Sequence, residues 1–213
     1  MGLLLGMLEV NMENCDEKEV AAQVIPLAFL FVEQYDESLE WNSPDDDTEQ
    51  VDFQFDGEIF LSVAQPIITK GLKSDQWVNQ VGSLFVIKHI LDGVAGLWQS
   101  QLDTIVKAVG NCLAHSKAQV KYAALHAIQQ LSVSYAEQDF ESTYHRPIMS
   151  ALLDMVNSAS KQHRCVAVQT CDALAHFAYY CKQELFDDYS KQSLKSLYEV
   201  LVNCNDGLIN RLH

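Results

Sequence analysis

Residues 116–131 read SKAQVKYAALHAIQQL, and their spacing predicts one amphipathic helix. Val120, Ala123, Ala124, Ala127 and Ile128 recur at the three- and four-residue intervals that put side chains on one helical face. Much of that face is alanine, so it suits close approach by a neighbouring helix. The pattern returns upstream from Ser74, with Val78, Val81, Leu84 and Phe85. It returns downstream from Ser160, with Val166, Thr170, Ala173 and Leu174. The three serines are 42 and 44 residues apart, and each stands where a helix is expected to begin. A serine hydroxyl at that position can accept from an N–H of the first turn.

A second series alternates with the first. Ile105, Val109 and Leu113 correspond to Ile148, Leu152 and Val156, each pair 43 residues apart. With the flanking runs, helices are expected over 17–35, 57–73, 75–94, 100–115, 116–135, 139–156, 160–181 and 187–202. Pro66 and Pro147 lie inside two of these, and Gly93 with Gly96 is expected to end another. An interval of about 40–47 residues is that of two-helix repeats of the HEAT and armadillo type. The expected fold class is therefore all-α, an α-solenoid of helix-pair repeats. It spans 1–213 as a single segment of about four to five repeats. Leu3, Leu4, Leu5 and Leu8 at one end, and Leu194, Leu197 and Leu201 at the other, read as stacking faces cut from a longer array. Trp77 and Trp98 are expected at helix beginnings, packing between repeats. Tyr179 and Tyr180 are expected to pack, and His126 and His176 to be core or boundary residues.

The net charge of −15 is unevenly placed. Residues 1–58 hold 16 acidic side chains and one lysine, Lys18, whereas 59–213 hold 13 acidic and 13 basic. The acid concentrates in 36–56, DESLEWNSPDDDTEQVDFQFD, which lacks a sustained apolar period and reads as an acidic loop. Such a block favours a basic partner and disfavours direct nucleic-acid binding. No apolar run reaches the roughly 18–20 residues that span a bilayer, so no membrane partner is expected. The six cysteines form no CxxC pair and fall on apolar faces, as thiols of a reducing compartment do. The seven histidines are scattered without a metal-ligand spacing, and no cofactor is implied. There is no GxSxG and no P-loop, and isolated Ser, His and Asp residues carry no catalytic geometry. A non-catalytic binding role is the expectation.

Several strings are similar to the karyopherin-β (importin-β) family of nuclear transport receptors, nearest its importin-beta-three branch. Val120-Lys121-Tyr122-Ala123-Ala124, followed by Ala127-Ile128, resembles the Val-Arg-Tyr-Ala-Ala opening of that branch's B helices. Asp75-Gln76-Trp77 resembles the Asp-Trp start of the preceding repeat. Val20-Ala21-Ala22-Gln23-Val24-Ile25-Pro26 and the acids after Trp41 resemble the helix and acidic insertion upstream. Lys121 stands where the family has arginine, Lys117 where it has a turn proline, and the insertion is shorter.

The resemblance implies a mid-array segment of a receptor that shuttles between cytoplasm and nucleus. Its implied partners are RanGTP and basic cargo proteins with nuclear localisation signals, with nucleoporin FG repeats as a further class. Glu40, Trp41, Asp45, Asp46, Asp47 and Glu49 match the family's acidic loop. Trp41 could anchor a partner or fold back on the first helix pair. Asn79, Gln80 and Lys121 match polar positions on the inner helical faces. A HEAT scaffold of another kind, such as a phosphatase-regulatory or chromosome-associated subunit, would share the repeat without needing that loop.

Overall fold

The computed structural model describes residues 57–136, 140–158 and 163–209, all in helices and the short turns between them. Seven helices follow in order: α1 (Gly57–Leu72), α2 (Trp77–Trp98), α3 (Leu102–Leu113), α4 (Ala118–Ser134), α5 (Phe140–Asn157), α6 (Arg164–Tyr180) and α7 (Gln183–Ile209). A 3-10 turn at Gln99–Gln101 joins α2 to α3. The pairs α1/α2, α3/α4 and α5/α6 form antiparallel hairpins. α2, α4 and α6 then stack as one layer, and α5 and α7 meet in the other. Cross-repeat hydrogen bonds such as Tyr189–His145 and Gln129–Asp172 join residues 44 and 43 positions apart, so successive repeats stack in parallel. This is the α-solenoid that the repeat interval predicts.

The stripe that organises α4 is buried along its whole length: Val120, Ala123, Ala124, Ala127, Ile128 and Leu131. It lies between α2 and α6, and the alanines are what let three helices lie side by side there. Corresponding stripes are buried on α6, through Val166, Thr170, Ala173 and Leu174, and on α3, through Ile105, Val109 and Leu113. Pro66 and Pro147 sit inside α1 and α5 on exposed faces. There the carbonyl that loses its partner can bond to water.

Five expectations need correction. Ser74 and Ser116 do not cap. α2 begins after Gln76 and α4 after Lys117, neither with a side-chain cap. Ser74 instead accepts from the Gln76 N–H two residues on. His115 accepts from Lys117 N in the same way, and His163 from Cys165 N. Each of these residues orders the turn rather than the helix end; Ser160 lies outside the described residues. Gly93 and Gly96 do not stop α2, which runs on to Trp98. Trp98 thus ends its helix, fully buried, while Trp77 begins α2 half-buried under the Lys117 ammonium. The last helix is longer than expected at both ends. Tyr179 and His176 are exposed, whereas His126 is a boundary residue packed edge-on against Tyr122.

The four cysteines within the described residues are thiols, two of them buried. Burial pushes Cys112 up to about 11 and Tyr135 up to about 12. Both are neutral in the fold, so the unfolded chain ionises first as pH rises. Stability is therefore fully present below pH 9 and declines as pH climbs towards these raised values. Labelling with a thiol reagent at pH 8 is expected to spare Cys112 until denaturant is added; prompt native-state labelling would contradict its burial. Among the described residues no single helix is long and apolar enough to cross a membrane.

Candidate partner-binding surface

Glu40, Trp41, Asp45, Asp46, Asp47 and Glu49 lie outside the described residues, as do Leu3, Leu4, Leu5, Leu8 and the helix expected over 17–35. Asn79, Gln80 and Lys121 can be placed. Asn79 and Gln80 occupy the first turn of α2 and close on the turn before it. Asn79 Nδ2 donates to Ser74 Oγ at 3.0 Å, and Gln80 Nε2 donates to the Ser74 carbonyl at 2.8 Å. That carbonyl can only accept, which fixes which way the Gln80 amide faces. Its Oε1 is then left buried without a donor among the described residues. Lys121 is half-buried in the first turn of α4, 41 residues on, which is also the distance between the starts of the two helices. The structure joins Asn79 to Gln80 through Ser74 and sets Lys121 at the same level of the next repeat.

Beside Gln80 a groove of about 330 Å³ opens between the end of α1, the start of α2 and the length of α3. Leu72, Ala108 and Cys112 give it an apolar base, and Lys73, Lys107 and His115 edge it. Sequence reading missed this groove. Its residues come from three segments and share no spacing. The only hint was that basic residues cluster in the turns that lead into α2, α4 and α6.

A second surface lies at the far end of the stack. Shifting α4 by the 46 residues that separate the starts of α4 and α6 maps Tyr122 onto Val168 and Val133 onto Tyr179. Tyr122 is half-buried, but Val168 is 62% and Tyr179 82% exposed. On α7, Leu194 and Tyr198 are 69% and 68% exposed, while Leu197 packs against the core. Val168 thus stands open at a position that is half-buried one repeat earlier, whereas the counterpart of Tyr179, Val133, is itself 40% exposed. Between α4 and α6, the last two helices of their layer, Gln169 Nε2 donates to Gln129 Oε1, and Gln129 Nε2 donates to Asp172 Oδ2 at 2.6 Å. This polar ladder holds α4 and α6 in register.

No family model matches the chain. Among solved structures it is similar to Kap121p bound to Pho4p, with a TM-score of 0.74 and 16% identity over 85% of this chain. It is likewise similar to Kap121p bound to Nup53p, with a TM-score of 0.73 and 16% identity over 85% of this chain. The match to Kap121p bound to RanGTP has a TM-score of 0.70 and 15% identity over 84% of this chain. In each case the chain spans 19% of the length of the structure it matches. At such identity the likeness is one of fold: the chain is a helical-repeat scaffold with the architecture of a karyopherin solenoid.

Proposed function

We propose that this chain is a non-catalytic segment of a nuclear import receptor, shuttling between cytoplasm and nucleus, that binds RanGTP and basic cargo. The observation that supports it most is the superposition on Kap121p structures that include RanGTP-bound and partner-bound forms, achieved at low sequence identity. The charge distribution supports the same reading: 16 of the 29 acidic residues precede residue 59, beside one lysine. Clustered carboxylates at Glu40, Asp45, Asp46, Asp47 and Glu49 would steer a basic surface into contact, with Trp41 as an apolar anchor. FG-repeat binding and the inner-face roles of Asn79, Gln80 and Lys121 belong to the same proposal. The face formed by Val168, Tyr179, Leu194 and Tyr198 fits the seat of a following helix pair, as expected of one segment of a longer array. Coding sequence that continues in frame with further helix pairs would bear this out, and a natural stop after His213 would count against it.

The test is nucleotide-selective capture. Immobilised chain is expected to retain GTP-loaded Ran and not GDP-loaded Ran. Changing Asp45, Asp46 and Asp47 together to asparagine is expected to weaken capture about three- to tenfold at low salt, with the difference shrinking as salt screens it. Equal or absent capture of the two forms would favour a HEAT scaffold of another kind. Unchanged affinity in the triple variant would leave the acidic block as a solubilising loop.

A further inference from the structure

The groove beside Gln80 is cationic in a chain whose net charge is −15. Of the nine residues that line it none is acidic, and Lys73, Lys107, Asn111, Thr104 and His115 all bring donors to it. His115 Nδ1 already accepts the Lys117 N–H at 3.0 Å, so the neutral ring carries its proton on Nε2, as a second donor. Lys107 is held by Asp103 one turn away, an exposed pair that an incoming anion can displace. The groove does not stand alone on its edge of the stack. Lys70, Lys117, Lys121 and Arg164 lie along the same edge, where α2, α4 and α6 also present their positive N-terminal ends; Asp75, Asp154 and Glu199, which pairs with Lys195, are the acids there. The opposite edge, where α5 and α7 begin, carries Glu141, Glu184, Asp187 and Asp188 beside one lysine, Lys182.

A site of this size, with an apolar base and donors around its mouth, suits a short segment and not a folded surface. Long polyanions are disfavoured by the chain's net charge of −15, which a short segment engaging only the local cations feels least. We propose that the groove between α1, α2 and α3 seats a short acidic peptide segment of a partner protein, its anionic side chain lying between Lys73 and Lys107. This site is independent of the RanGTP reading and opposite to it in charge preference.

Fluorescence anisotropy on the whole chain at about 50 mM salt tests it. The labelled probes are a glutamate-rich peptide, its phosphoserine and glutamine counterparts, and a single-stranded oligonucleotide. At least one of the two anionic peptides is expected to bind better than the glutamine peptide, weakening as salt rises; the tighter of them tells carboxylate from phosphate. The double change Lys73→Glu with Lys107→Glu is expected to lower that affinity about tenfold or more, and Asn111→Ala to lower it less. Asp103→Asn, which releases Lys107, is expected to raise it, an effect that a merely structural role for these exposed residues would not produce. The proposal is overturned if neither anionic peptide exceeds the glutamine peptide, if the oligonucleotide binds as tightly, or if the double variant, melting like the parent, retains full affinity.

Discussion

Replacing Phe140 with alanine is expected to destabilise the array by about 3–5 kcal/mol, the range for deleting a fully buried aromatic ring. Phe140 is 1% exposed and opens α5. Its ring lies 5.0 Å from that of Tyr144 on its own helix, and 6.4 Å from those of Tyr135, after α4, and Phe177, on α6. Tyr135 in turn donates its hydroxyl to the Ala95 carbonyl at 2.8 Å, so the cluster also reaches α2. Loss of the Phe140 ring therefore removes aromatic contact to parts of two repeats at once. Three rings around the vacated space, one of them tied by a hydrogen bond, limit how far it can collapse. The cost should sit at the upper end of the range for that reason. For a chain of this length it corresponds to a fall in melting temperature of about 10 °C. Because a solenoid's stability is a sum of repeat terms and neighbour terms, the melt should also broaden as the two sides uncouple. Phe140→Leu, which keeps most of the volume, is expected to cost about 1.5 kcal/mol or less. A loss below about 1 kcal/mol for Phe140→Ala would mean that the aromatic cluster does not couple the repeats.

The helices and their buried faces were legible because stacking imposes a strict period. Each apolar residue that fixed the reading of α4 is buried, and each of the helices read within the described region exists. What the spacing could not fix was local. Ser74 and Ser116 have the right chemistry to cap, yet α2 starts three residues beyond Ser74 and α4 two beyond Ser116. There the turn is ordered by Ser74 and His115 accepting i+2 N–H groups, an arrangement that competes with capping and uses the same residue types. Gly93 and Gly96 carry a helix cost of about 1 kcal/mol each, which burial of Leu91, Val94 and Trp98 around them outweighs. Tyr179 reads as packing because aromatic residues usually pack, but it stands at the position of Val133 one repeat earlier, which is itself 40% exposed. The groove at Lys73, Lys107 and His115 was legible only as basic residues in the turns that lead into α2, α4 and α6. It is made by the meeting of three helices, and a repeat period says nothing of which polar residues the superhelix brings together.

Gly71 shows the same contest between local rule and packing, and its replacement by alanine is the other large effect expected. On helix propensity alone the change should stabilise α1 by about 1 kcal/mol. Packing opposes it. A methyl group on Gly71 would run into Ser83 Oγ and lie 2.9 Å from the Asn79 carbonyl oxygen. Ser83 is fully buried on α2, with its hydroxyl donated to that same carbonyl at 2.9 Å. The hydroxyl can rotate away only by giving up this bond inside the interface, and the backbone oxygen has no such freedom. Moving α2 outward instead would loosen the α1/α2 hairpin that carries one wall of the groove at Lys73 and Gln80. Overpacking of this kind costs about 1–3 kcal/mol and should outweigh the propensity gain. Ser83→Ala removes the hydroxyl and leaves its Cβ 3.4 Å from the new methyl, an ordinary contact. The double variant Gly71→Ala with Ser83→Ala is therefore expected to be more stable than Gly71→Ala alone, with a coupling of about 1 kcal/mol or more by chemical denaturation. Additive costs in that cycle, or a single Gly71→Ala variant more stable than the parent, would show that the two helices part easily. The close approach at Gly71 would then play no part in holding the hairpin.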